Sequence, residues 1–518
     1  MLDLPSVDRG LSHGEKMNLP GRFFIIFMGL LISVLTSHAA FAKSHHHTAR
    51  SHHHSVASGE PIYGTQNLVD ELNRLVRDID PGASVGIQIK SMKHGDILYT
   101  HNETRLLTPA SIFKILTAEA ALTYLGPDYK FETRLVTNAK STANGTIQGD
   151  VYLVNSGDPT LTYYDLTDLM VALKSQQIQG IDGNAYVDNT AYDQDNLGPG
   201  WLASDMHYCY AAPINASIIN HNCISIGITP AKAAGYRAIV IQNPRYFYAG
   251  INNSVMTKQA GAHACHLSLT STENNVITID GCMPKGRYSR GGSVVVNNIL
   301  KYDESLLQNS FNRFGIHLTG NVSAKTAPAN LTVLATHESK PLHLLINEML
   351  KKSDNIIAGS LFKKLGELYF NQPGSWSNGG MAVKLILAKQ AAVNTADMRA
   401  ADGSGLSRNN QITAAQMIQV LDYAYHNYAT NYEFISALPI AGIDGTLKYR
   451  LKNVARKIRA KTGTKSKEGV VALAGYAVSR DHEPIAFVII VNGHYGNTWR
   501  YREMTDEMVT ALTRYTRG

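Results

Sequence analysis

A chain of 518 residues exceeds one ordinary domain, and 44% hydrophobic with 17% charged residues is the composition of a globular protein with sizeable cores. The formal net charge of +7 is mild, and no dense Lys/Arg run forms a nucleic-acid stripe, so nucleic acid is excluded as the expected partner. Four cysteines with no C-x-x-C spacing argue against a structural metal site.

Phe23 to Leu35 is a nearly unbroken apolar run, preceded by Arg22 and followed by Ala40-Phe41-Ala42. A positive flank, a short apolar segment and an A-x-A site predict a secretory signal over 1–42, cut after Ala42, and hence a periplasmic protein. The run is short of the ~20 residues that span a bilayer, although an uncleaved anchor is the competing reading. No later stretch is long and apolar enough to span, leaving at most peripheral membrane contact. Residues 43–60 carry two His triplets among serines and read as a flexible tail, with weak metal capture the lesser alternative.

The expected fold is α+β: a catalytic domain in two parts, 61–135 and 337–518, around a mostly β insertion at 136–336. Asn67–Arg77 places Leu68, Leu72, Leu75 and Val76 on one helical face. Two strands, Ala83–Ile89 and Ile97–Tyr99, flank a turn at Lys93–Asp96. Thr108-Pro109 opens a helix that runs apolar to Leu125 and stops at Gly126-Pro127. From about residue 132 short strands alternate with Gly, Asn, Asp and Pro turns. Helical pattern returns at Leu342–Lys352, Asn355–Phe370, Gly380–Ala391 and Ala414–Tyr425. Val470–Val478 and Ile485–Val491 then read as paired strands, and Arg500–Tyr515 as a closing helix. Cys209, Cys223, Cys265 and Cys282 allow three pairings; the short loops favour 209–223 and 265–282, in an oxidising compartment.

Three short motifs carry chemistry. Ser111-Ile112-Phe113-Lys114 places a hydroxyl and an amine three residues apart at the start of an apolar helix, where a neutral Lys114 could take the hydroxyl proton. Burial or a second cation would have to lower its pKa. Ser353-Asp354-Asn355, between two helical patterns, offers a hydroxyl for proton relay and an amide for a peptide carbonyl. Lys461-Thr462-Gly463-Thr464 is expected on an edge strand leading into the final strand pair. There a lysine supplies charge for a carboxylate, glycine lets a peptide lie against the strand, and the Thr464 N–H could join the Ser111 N–H around an oxyanion. Each motif alone is an ordinary cap or turn. In this order they form the S-x-x-K, S-D-N, K-T-G combination of penicillin-binding proteins and class A β-lactamases.

The chain resembles the penicillin-binding protein 4 family, the DacB-type D-alanyl-D-alanine carboxypeptidases/endopeptidases, through TPASIFK (108–114), DMHYCYAAP (205–213), KKSDNIIA (351–358), ADGSGLSRNN (401–410), LPIAGIDGTLKYR (438–450) and AKTGT (460–464). The resemblance implies a penicillin-binding/serine β-lactamase-like transpeptidase core with inserted domains. It implies Ser111 as acylated nucleophile, Lys114 as base, and Ser353, Asn355 and Lys461 as proton and substrate network, with Thr462 and Gly463 at the substrate. It further implies that Asp205 and Arg408 bind a diaminopimelate side chain beside Tyr210; Ser466 departs from the family pattern there. Peptidoglycan peptides would be the substrate, β-lactams covalent inhibitors, and no metal or organic cofactor would be needed. The rivals are a β-lactamase, against which no Glu-x-x-x-Asn occurs between Ser111 and Ser353, and a non-catalytic wall-binding scaffold.

Overall fold

The computed structural model describes residues 61–243, 250–262, 265–286 and 289–517, so the expected signal (1–42) and His-rich tail (43–60) lie outside the described residues. Helix α1 (Thr65–Arg77) buries Leu68, Leu72 and Leu75. Strands β1 (Ser84–Ser91) and β2 (Ile97–His101) form a hairpin, and a 3₁₀ turn, Ala110–Phe113, feeds α2 (Lys114–Leu125). The insertion follows, with its own helices α3 (Tyr163–Ser175) and α4 (Ile299–Arg313). The chain then forms α5 (Leu342–Lys352), α6 (Asn355–Phe370), α7 (Trp376–Gln390), α8 (Ala414–His426) and α9 (Asn431–Ala437). It closes with β3 (Ile458–Lys465), β4 (Val470–Val478), β5 (Pro484–Asn492) and α10 (Thr498–Leu512).

The catalytic sheet has the order β3-β4-β5-β1-β2 and is antiparallel throughout. Side chains alternate across it. Leu473, Phe487 and Ile489 pack under α1 and α10 with Leu72 and Met508. Ala474, Val488 and Ile490 face the helical layer, with Ile115, Leu361 and Leu421. Both faces are covered, which is why β4 and β5 read as continuous apolar runs. Each fully buried Leu or Phe in these two cores contributes about 1.5–3 kcal/mol.

The insertion has a separate core, in which Leu166, Met170, Leu306 and Phe311 of α3 and α4 pack against strands such as Val151–Val154 and Cys223–Thr229. Its ends meet at a neck, where Ser339 N–H donates to the Phe131 carbonyl (2.9 Å) and Phe131 N–H to Ser339 Oγ (2.9 Å). Strands Glu132–Thr137 and Thr332–Glu338 pair directly beyond it, so the expected boundaries at 135/136 and 336/337 cut through strands. Two of the helical expectations shift. α7 begins at Trp376 rather than Gly380, because Ser375 and Asn378 form a capping box upstream. α10 spans Thr498–Leu512 rather than Arg500–Tyr515. Cys209 bonds Cys223 and Cys265 bonds Cys282, the pairing the short loops favour.

Candidate active site

The three motifs converge on one cleft between the insertion, the helical layer and the edge strand β3. Ser111 sits in the 3₁₀ turn before α2, where residues three apart eclipse, so Lys114 Nζ reaches Ser111 Oγ at 3.1 Å. The same amine donates to Asn355 Oδ1 (2.6 Å) and to the Ser404 carbonyl (2.7 Å). Lys114 is fully buried, and burial lowers its pKa to about 7 against the opposing pull of Asp402 and Asp354.

The S-D-N motif is a helix-to-helix joint. Ser353 ends α5 in the left-handed region (φ 61°), and Asp354 caps α6 by accepting from the N–H groups of Ile356 (2.8 Å) and Ile357 (2.9 Å). Asn355, first in α6, therefore points at Lys114, and its Nδ2 donates to the Tyr210 carbonyl at 2.8 Å. That amide brackets the insertion to the nucleophile's base.

Lys461 is also fully buried, and its Nζ donates to Ser353 Oγ (2.8 Å) and to the Thr462 carbonyl (2.8 Å). Burial first, and the Lys114 cation second, push its pKa well below the usual lysine value. Its amine thus stands beside the Ser353 hydroxyl, within the same cluster as Lys114. Gly463 has a packing role here. A Cβ there would stand 2.8 Å from the Pro109 carbonyl and 3.1 Å from the Ser111 nitrogen, so the glycine lets β3 press against the nucleophile's turn. Thr462 gives its hydroxyl to Thr446 (2.8 Å) and is not among the cavity-lining residues.

A cavity of about 370 Å³ opens onto this cluster, lined among others by Ser111, Asp205, Tyr210, Asn355, Thr464 and Glu468. Tyr210 Oη donates to Asp205 Oδ1 (3.0 Å), and Lys467 Nζ approaches Asp205 to 3.8 Å while donating to Ser204 Oγ (3.0 Å). Arg408 does not line the cavity; its half-exposed guanidinium lies 3.5 Å from Glu468 Oε1, one of the wall's carboxylate oxygens. Ser466, the departing residue, lines the same wall.

The residue that motif reading passed over is Asp402. Fully buried, it accepts from the N–H groups of Ser404 (2.9 Å), Gly405 (2.7 Å) and Ser407 (2.7 Å), from Asn410 Nδ2 (2.8 Å) and from Trp201 Nε1 (2.6 Å). This fixes the loop whose Ser404 carbonyl holds Lys114. Gly405, at φ +79°, lies so close to Ala110 that a Cβ would sit 1.9 Å from the Ala110 carbonyl oxygen.

Residues 68–515 match the D-Ala-D-Ala carboxypeptidase 3 (S13) family. The chain is 33% identical over 439 residues to the D-alanyl-D-alanine carboxypeptidase DacB of Haemophilus influenzae, covering 84% of this chain and 90% of that protein. The fold matches the crystal structure of penicillin binding protein 4 (dacB) from Haemophilus influenzae with a TM-score of 0.76 at 30% identity, over 86% of this chain and 99% of the other. The same Haemophilus influenzae protein complexed with a novel β-lactam matches with a TM-score of 0.70 at 30% identity, over 85% and 99% of the two chains.

Proposed function

Because the chain belongs to the D-Ala-D-Ala carboxypeptidase 3 (S13) family, we propose that it is a serine D-alanyl-D-alanine carboxypeptidase and DD-endopeptidase that acts on peptidoglycan stem peptides and is acylated by β-lactams at Ser111. The observation that carries this reading is the 3.1 Å contact between Ser111 Oγ and a fully buried Lys114. A buried amine with a pKa lowered to about 7 has a substantial neutral fraction at physiological pH and accepts a proton.

Ser111 Oγ attacks the carbonyl carbon of the penultimate D-Ala while its proton passes to Lys114 Nζ. The oxyanion rests between the N–H groups of Ser111 and Thr464, which the glycine-mediated approach of β3 to the Ser111 turn supports. The C–N bond then breaks, its electron pair stays on the leaving nitrogen, and Ser353, backed by Lys461, relays to it the proton that Lys114 took from Ser111. Water hydrolyses the acyl-enzyme. Asp205, with Tyr210 beside it, receives the ammonium of the side chain, and Arg408 its carboxylate once released from Glu468. The apolar run and A-x-A site before residue 43, with two disulfides, support export to the periplasm.

Lys114 is cationic and unable to accept a proton below its pKa. The second-order rate of acylation by a labelled penicillin is therefore expected to rise with pH through about 7 and level off above it. A rate flat from pH 5.5 to 9, on a scale of roughly pH units set by that titration, would remove Lys114 as base. Asp205→Asn is expected to lower kcat/KM about tenfold or more for a peptide with an ammonium side chain. Acylation by benzylpenicillin, which carries no ammonium, would stay near wild type; equal losses on both compounds would deny Asp205 this role.

A further inference from the structure

The cleft does not end at the nucleophile. On the far side of Asn355 and Tyr210, joined by their 2.8 Å hydrogen bond, lies a second groove of about 660 Å³. Asn355 and Tyr210 line both spaces, whereas Ser111 and Thr464 line only the smaller and Ser353 only the larger. The two serines with opposite tasks thus open into different chambers.

We infer that the larger groove is the binding site for the strand that carries the leaving amine, and that its occupant is the second peptide of a cross-link. This rests on the proposed acyl-enzyme chemistry. A volume of about 660 Å³ falls within the ~300–1,000 Å³ that enclose a multi-residue or drug-sized ligand, far more than a departing D-alanine fills. Its walls suit a peptide with charged groups. Thr160, Ser225 and Ser293 present hydroxyls; Lys340 and the Lys352–Glu348 pair (2.6 Å) present both signs of charge; and His221 lies 4.0 Å from Asp354. The Cys209–Cys223 disulfide also lines the groove and ties the Tyr210 turn to its floor strand, Cys223–Thr229.

Ser225 and Ser293 are exposed and face one another across paired strands, so tryptophan at either position occupies the groove without entering a core. Ser225→Trp and Ser293→Trp are each expected to lower cleavage of a D,D-cross-linked muropeptide dimer about tenfold or more, with D-Ala release from a soluble pentapeptide and penicillin acylation of Ser111 within about twofold of wild type. Retained acylation shows that the variants are folded. The inference is overturned if both peptide activities fall together, if neither falls, or if the wild-type chain releases D-Ala but leaves the dimer intact. A wild-type chain with no penicillin adduct on Ser111 would overturn the underlying reading as well, and mass spectrometry reads that separately from the dimer assay.

Discussion

Replacing Ser111 with alanine is expected to abolish the penicillin adduct seen by mass spectrometry and to lower D-Ala release by about 10⁴-fold or more. The size follows from the arrangement: the Lys114 amine has a hydroxyl at 3.1 Å and no other nucleophile among its bonded partners, which are Asn355 Oδ1 and the Ser404 carbonyl. The substitution removes one oxygen from a turn that β3 and Gly405 hold by backbone contact, so the fold is expected to survive unchanged. Full activity in Ser111→Ala would refute the acyl-enzyme and leave the scaffold reading; an adduct that turns over rapidly in the wild-type chain would instead favour a β-lactamase.

Asp402→Ala is expected to be the most damaging change outside the reacting groups. It leaves five donors without their acceptor: three backbone N–H groups, the Asn410 amide and the Trp201 indole. A buried unsatisfied donor costs about 1–3 kcal/mol, so a combined loss of about 3 kcal/mol or more is expected, read as a lower urea midpoint. Acylation is expected to fall alongside, because the Ser404 carbonyl that steadies Lys114 belongs to the same loop. Asp402→Asn keeps the shape but turns one acceptor into a donor among donors, and is expected to be nearly as harmful. A midpoint unchanged in Asp402→Ala would show that the loop is held by its other contacts, such as the Thr117 hydroxyl on the Gly403 carbonyl at 2.7 Å.

Much of this architecture is legible in the sequence because burial leaves a period. The runs at Leu342–Lys352, Asn355–Phe370 and Val470–Val478 coincide with their elements, since each is bounded by a cap or turn and covered by a continuous core. Helix α3 is absent from the sequence expectation of short strands and turns. It sits among short strands and Gly/Asn turns, although Thr162 and Asp165 form a capping box and Leu166, Leu169, Met170 and Leu173 keep the helical spacing. The family motifs place Ser111, Lys114, Ser353, Asn355 and Lys461 in one cleft, but not how their bonds are divided. That Lys461 lies behind Ser353, and that Gly463 serves the nucleophile's turn, depends on how closely β3 packs against residues 109–111. Asp402 stands in the quoted motif ADGSGLSRNN, but its bond to Trp201 spans some two hundred positions and is not legible there.

The pairing of β1 with β5 has a bearing on biogenesis. Residues 84–91 pair on one side with the hairpin strand Ile97–His101 and on the other with residues 484–492, so the sheet joins parts of the polypeptide far apart in sequence. Contacts of such sequence separation form slowly. During synthesis Ser111 emerges hundreds of residues before the strand that completes its layer, so the sheet cannot close on a partly made chain. The Ser111 cleft is thus complete only once this last strand has been made.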